Sequence, residues 1–299
     1  MSAGKDLGAR LDKLEVVYQQ QEKRLELLET QVDAAKPTVE TYYLTTAIPY
    51  TNGLPHMGHA YENVCSDVIA RYHRVFGRGV HFLTGTDEHG QRLRKLRKLP
   101  KLVDKYATIF EQLMKDLNMS NSNFIRTTSD VHKFAQWLFQ RALYNGDVYL
   151  GTYEGCYNPE VRRQELLCHL KEPLQDLSAS RNTFTHGIPL LNDPEHVLYV
   201  WFDALANYLS AIGYPTGPNA RYWPANVHNI GKDITWFHCI IWPCILISAD
   251  IPLPKQVFAH GFVNAKDRSK MNKSNGNNID ANEMVNKYGL EAFRYFIMW

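Results

Sequence analysis

The apolar positions near the start of the chain keep a strict beat of alternating four- and three-residue steps: Leu7, Leu11, Leu14, Tyr18, Leu25, Leu28 and Val32, with Gln21 filling one place in the series. A 3.5-residue period puts these side chains on one seam of a helix. It predicts a coiled-coil arm over residues 1–36, with residues 7–32 pairing with a second copy or a partner helix. Pro37 ends the arm, because it has no N–H to donate and turns Lys36 away from helical dihedrals. The pattern then changes. "TYYLTTAIPY" is aromatic and β-branched and reads as a strand, "TNGLP" as a turn, and "HAYENVCSDVIARYHRVFG" as an amphipathic helix closed by Gly77. An apolar strand running into a polar tip recurs at "GVHFLTGTDEHG", "VHNIGKDITWFHCII" and "QVFAHGFVN". Strands alternating with helices predict an α/β fold around a parallel sheet, with ligands gathering at the carboxyl ends of the strands. The most apolar run, "WFHCIIWPCILISADIPLP", is broken by His238 and Pro243 and falls short of about 20 uninterrupted apolar residues, so it reads as a buried helix and not a membrane span.

Composition narrows this picture without redirecting it. With 299 residues, 44% of them hydrophobic, the chain can bury one large core or two smaller ones. The net charge of +2 announces no polyanion partner, and any nucleic-acid contact has to come from a local patch. One such patch exists: "RLRKLRKLPKLVDK", residues 92–105, carries seven basic residues between leucines. It reads first as a solvated helix face and second as a phosphate-contacting surface. Five scattered cysteines without a CxxC pair suit reduced thiols. The first residues lack the apolar core of a secretory signal, and Asp6, Asp12 and Glu15 are foreign to an organellar transit peptide, so a cytoplasmic protein is expected.

The candidate chemistry begins at "PHMGHA", residues 55–60. Two histidines three apart around a glycine admit three readings: half of a metal site, a structural pair tied to backbone, or a phosphate cradle at a helix start. Glu62 and Cys65 complete no familiar ligand set, and the glycine together with a helix N-terminus suits an anion, but the local spacing leaves the choice open. Far along the chain, "RSKMNKSNGN" gathers Lys270, Lys273 and Ser274 in one short loop, where two ammonium groups can follow charge developing on a triphosphate.

Taken together, the two stretches resemble the paired signatures of class I aminoacyl-tRNA synthetases, His-Ile-Gly-His and Lys-Met-Ser-Lys-Ser. Here they read His-Met-Gly-His at 56–59 and Lys-Met-Asn-Lys-Ser at 270–274. "GVHFLTGTDEHGQ", "LQDLSASR", "YVWFDALANYL", "NIGKDITWFHCIIWP" and "KYGLEAFRYF" narrow the resemblance to the methionyl-tRNA synthetase family over most of residues 42–299. It implies a Rossmann-like, doubly wound parallel sheet over residues 38–299 and a methionine-tRNA ligase activity. In that activity methionine and ATP give methionyl-adenylate, which is passed to tRNA(Met), with Mg2+ accompanying the ATP. By motif, Asn52, His56, Gly58 and His59 fall to ATP, Gly231 and Asp233 to the ribose and adenine pocket, and Val263 to the adenine edge. Lys270, Lys273, Ser274 and Arg181 fall to the phosphates. Ile48 and Tyr50 line the amino-acid pocket, Asp87 pairs with the α-ammonium, and Trp201, Tyr208, Ile234 and His238 surround the thioether.

The sequence departs from that family in several places. Asn272 replaces a serine, Cys156 and His186 stand where tryptophans are usual, and the connective insertion around residues 151–180 is short and has no CxxC, so no zinc site is expected. The family also continues into a helical anticodon-binding domain where this sequence stops, at Trp299, so that domain is expected to be missing from it. A chain shortened in this way can alternatively serve as a non-catalytic interaction protein built on the synthetase fold.

Overall fold

The computed structural model describes residues 39–90, 99–150, 176–182, 186–264 and 279–299. The expected coiled coil and the loop bearing Lys270, Lys273 and Ser274 lie outside them. The compact unit runs from Thr41 to Trp299. Its strands and helices are β1 (Thr41–Thr46), α1 (Met57–Val75), β2 (Gly79–Thr86), α2 (Leu99–Asp116), β3 (Asn123–Arg126), α3 (Phe134–Tyr144), β4 (Ser180–Arg181) and β5 (Val197–Leu198). There follow α4 (Val200–Ser210), β6 (Val227–Gly231), α5 (Trp242–Ser248), β7 (Val257–His260), α6 (Ala281–Tyr288) and α7 (Leu290–Met298).

Five strands form one sheet in the order β3-β2-β1-β6-β7, and every pairing in it is parallel. The α/β, Rossmann-like expectation is therefore met. The last four residues of β1 and the last six of β2 are buried without a break, as both-face coverage of a parallel sheet requires. Alternation along β1 sorts the core into two layers. Tyr43 packs with Leu83, Leu138, Phe202, Leu209 and Trp242 on the side of α3, α4 and α5. Leu44 packs with Phe82, Ala70 and Val227 on the side of α1. There Met57, Ala60 and Val64 of α1 also meet Leu113 of α2 and Phe293 of α7.

Local chemistry sets the ends of these elements. α1 stops in a left-handed turn at Gly77 (φ +77°), where Gly77 N–H donates to the Arg74 carbonyl and Arg78 N–H to that of His73. This double closure favours glycine, as the sequence predicted. The apolar run after β6 departs from the expected helix. Phe237–Ile241 form a wide π-turn, and a regular helix begins only at Trp242. Pro243 cannot donate to the Cys239 carbonyl and its ring crowds it, which a wider turn relieves. Order along the sheet reverses between β1 and β6, so the crevice above their carboxyl ends is the natural ligand position of such a fold.

Candidate functional site

His56 is the N-cap of α1, and its Nδ1 accepts from Gly58 N–H at 3.1 Å. Reciprocally, His59 Nδ1 accepts from His56 N–H at 3.1 Å, and the two rings stack with centroids 3.7 Å apart. The histidines thus form a capping box of their own. A neutral imidazole whose Nδ1 accepts carries its proton on Nε2, so each ring brings an Nε2–H donor to the positive end of a 19-residue helix. With both Nδ1 atoms engaged by backbone, the pair is tied to the helix start as the structural reading expects. Gly58 leaves room for it, since a Cβ there would meet His56 Cε1 at 3.0 Å and press on the ring. Asn52 sits exposed in the turn before this helix.

At the end of β2 three acids are buried close together. Glu88 is held by Arg126, with Nε at 2.6 Å, and accepts from Thr86 Oγ1 at 2.9 Å. Asp203 of α4 lies between His89 Nδ1 and His132 Nε2, each at 2.5 Å. Burial pushes the Asp203 carboxyl up, but the two histidines outweigh it and hold the group below the usual range. Asp87 is different: its Oδ1 accepts the His89 backbone N–H at 3.1 Å, and among the described residues it makes no ion pair. Burial first, and the charge of Asp203 second, push its carboxyl up to about 8. A buried acid in that condition is suited to an incoming cation. Tyr50 pairs with Asp87 through a backbone bridge, and its ring lies where a Cβ on Gly90 would be, 2.8 Å from Cδ1. Arg181, from the small β4–β5 pair, stacks on Tyr199 at 4.9 Å and donates to the His89 carbonyl at 3.2 Å. His186 also closes on this turn, through Nε2 to the Glu88 carbonyl at 2.8 Å.

Aromatic residues gather where α4 meets the π-turn. His238 Nδ1 donates to the Ile234 carbonyl at 3.0 Å, which leaves Nε2 to accept from the Tyr208 hydroxyl at 2.7 Å. Burial keeps this imidazole neutral, pushing it down to about 4. Beneath it Trp242 Nε1–H donates to His228 Nε2 at 3.3 Å, so His228 Nδ1–H donates to Thr45 Oγ1 at 2.6 Å. Trp201 stacks on Phe237 at 6.2 Å, and Ile48 packs against the same core. The structure therefore brings Tyr208, His238 and the Ile234 carbonyl together, with Trp201 and Ile48 packed against the same core.

On the other side of the reversal, Gly231 ends β6, and a Cβ there would meet Asp233 Oδ1 at 2.8 Å. Glu62 of α1 accepts from Ala47 N–H at 3.0 Å and pairs with His260 Nε2 at 2.9 Å, tying the helix to the loop after β1 and to the end of β7. Val263 lines a cleft of about 270 Å³ with Met57, Tyr61, Phe262 and Phe296. Among these residues His89, His132, Asp203 and His260 were not singled out from the sequence, and Glu62 was weighed only as a possible metal ligand. The one available signal was the acid within the apolar helix "WFDALANYL".

A family model described as class I tRNA synthetases (M) matches residues 42–165 and 160–299. The chain belongs to this family. A methionine–tRNA ligase of Brucella suis is 41% identical over 326 residues, covering 87% of this chain and 63% of the relative. Methionyl-tRNA synthetase of Mycobacterium tuberculosis bound to methionyl-adenylate superposes with TM-score 0.81 at 35% identity, over 86% of this chain and 64% of that one. The free form of the same enzyme superposes at 0.68 and 32%, over 88% and 62%. This class I synthetase chain thus spans less than two thirds of the length of these relatives. The 326 aligned positions exceed its own 299 residues, so the relative carries interior residues that this chain lacks. The two parts of the family match meet at residues 160–165.

Proposed function

We propose that this chain activates methionine with ATP and passes the resulting methionyl group to tRNA(Met). The observation that carries the proposal is the histidine capping box, two Nε2–H donors at a helix N-terminus beside the crevice where the sheet order reverses. Those donors, with the positive dipole end of α1, Asn52 and Gly58, bind the phosphates. Gly231 and Asp233 take the ribose and adenine side, with Val263 at the adenine edge. Asp87 takes the α-ammonium, and Ile48, Tyr50, Trp201, Tyr208, Ile234 and His238 enclose the side chain. The methionine carboxylate then attacks the α-phosphorus, the bond from that phosphorus to the bridging oxygen breaks, and pyrophosphate departs. The nucleophile is already an anion, so the protein supplies positioning and charge rather than a base. Arg181, Lys270, Lys273 and Ser274 compensate the phosphate charge, and Mg2+ is held mainly by phosphates and water.

The relatives' names and the adenylate bound by the Mycobacterium enzyme support this reading. The chain is further read as an arm, residues 1–36, joined to a catalytic domain, 38–299, whose connective insertion around 151–180 is shortened and holds no zinc. It acts in the cytoplasm, and no helix among the described residues is long and apolar enough to cross a membrane. Methionine-dependent exchange of labelled pyrophosphate into ATP tests the proposal. Exchange with methionine is expected. A folded sample that exchanges with no amino acid refutes the activity, and exchange with leucine or valine instead refutes the substrate.

A further inference from the structure

A buried string of polar side chains reaches from α4 to the turn after β2, and the roles proposed above use only its end. Ser210 Oγ lies 2.8 Å from His132 Nδ1, His132 Nε2 lies 2.5 Å from Asp203 Oδ1, and Asp203 Oδ2 lies 2.5 Å from His89 Nδ1. His89 in turn gives its backbone N–H to Asp87 Oδ1 at 3.1 Å. His132, Asp203 and Ser210 are all buried in the wall of an apolar core. A carboxylate is costly in such surroundings unless paired, and an aliphatic side chain would fill the space without that cost. The pairing also has a direction. His132 fixes one oxygen of Asp203 from behind, and the other oxygen faces the residue that hooks Asp87. Asp87 is otherwise faced by Tyr50 from the loop after β1, Glu88 from its own turn and Arg181 from β4. Glu88 is already neutralised by Arg126. The string from α4 reaches the Asp87 turn through two hydrogen bonds on the Asp203 carboxylate, one to each oxygen.

We infer that Asp203, clamped by His132, is a positioning residue for amino-acid recognition: it orients His89, and through the His89 backbone it fixes Asp87 to receive the α-ammonium group. The inference rests on the proposed assignment of Asp87 to that ammonium. It is specific in what it affects, since only a ligand bearing the amino group makes use of the string.

The test is calorimetric binding by the full chain of methionine and of 4-(methylsulfanyl)butanoate, which is methionine without its amino group. Wild type, Asp203→Asn, His132→Leu and His132→Gln are compared, with thermal melts to establish that each is folded. Losing a charge-assisted pair should weaken methionine binding about tenfold in Asp203→Asn and His132→Leu while the amine-free analogue changes by less than about twofold. His132→Gln, whose amide N–H reaches the same carboxylate oxygen, should keep most of the methionine affinity. Equal losses for both ligands, no loss in folded Asp203→Asn, or a glutamine as damaging as the leucine would each overturn the inference. Wild type that binds neither ligand would instead refute the assignment of the site, a result distinct from wild type that binds methionine beside an unaffected Asp203→Asn.

Discussion

Asp87 shows how one side chain can carry a pH dependence whose sign follows from its surroundings. Its carboxyl is pushed up to about 8, so between the ordinary carboxylate range and that value the ligand-free native state holds a proton the unfolded chain has lost. Raising the pH through this window therefore destabilises the ligand-free protein. An ammonium bound beside Asp87 favours the ionised form and reverses the effect. The rise in melting temperature given by saturating methionine should accordingly grow between about pH 6 and pH 8, and Asp87→Asn should remove that growth. Tyr208 makes a second prediction at the same scale. Tyr208→Phe takes the donor from His238 Nε2 and leaves a buried acceptor unmatched. The expected cost is about 1–3 kcal/mol in denaturant unfolding. Preference for methionine over its all-carbon analogue should narrow as well, since the hydroxyl and the neutral imidazole are the polar contrast in an otherwise aromatic enclosure.

Among the elements, β2 and β3 meet at a place that admits no side chain. A Cβ on Gly85 would lie 2.1 Å from the Ile125 carbonyl oxygen, in the middle of a parallel pairing. Backbone cannot yield there as a flexible side chain can, so Gly85→Ala should lower the unfolding free energy by more than about 2 kcal/mol or prevent folding, measured by urea titration. This also shows where the sequence was legible. β1, β2 and the helix between them were readable because apolar period, turn residues and a closing Gly77 agreed with one another. The end of α1 followed from the same local rules. The π-turn at Phe237–Ile241 was not readable, because a continuous apolar run has the same pattern whether its turns hold 3.6 residues or more. Site residues followed the same division. His56 and His59 announced themselves within six residues of one another, whereas the His132–Asp203–His89 string joins three separate segments and exists only once α4 has packed on the turn after β2.

At the scale of the whole molecule, the five-stranded sheet supplies the frame and the two faces supply different services. One face holds the aromatic enclosure between α4 and the π-turn, and the other holds α1 against α2 and α7. Asp67 of α1 accepts from Arg294 of α7 and from Ser120 N–H at 2.7 Å, so the helix bearing the histidines is braced at its middle by distant parts of the chain. The heptad beat of residues 7–32 predicts assembly independent of this frame. Light scattering on the chain with and without residues 1–36 should show more chains per particle with the arm, and the same number of chains in both would exclude self-pairing.

β1 finds one neighbour, β2, after a single helix, but the other, β6, some way past residue 200, with Leu44 opposite Val227. A cut within residues 151–175 therefore separates β1, β2 and β3 from β6 and β7. The boundary between the pieces is then the β1–β6 pairing, with the proposed ATP and methionine sites astride it. Two such pieces, made as separate polypeptides, should recognise each other along this seam and should associate more tightly when methionine and ATP are present. The measurement is co-purification of a tagged amino-terminal piece with its untagged counterpart, with and without both ligands. The chain would then behave as a complementing pair whose glue is its own substrates.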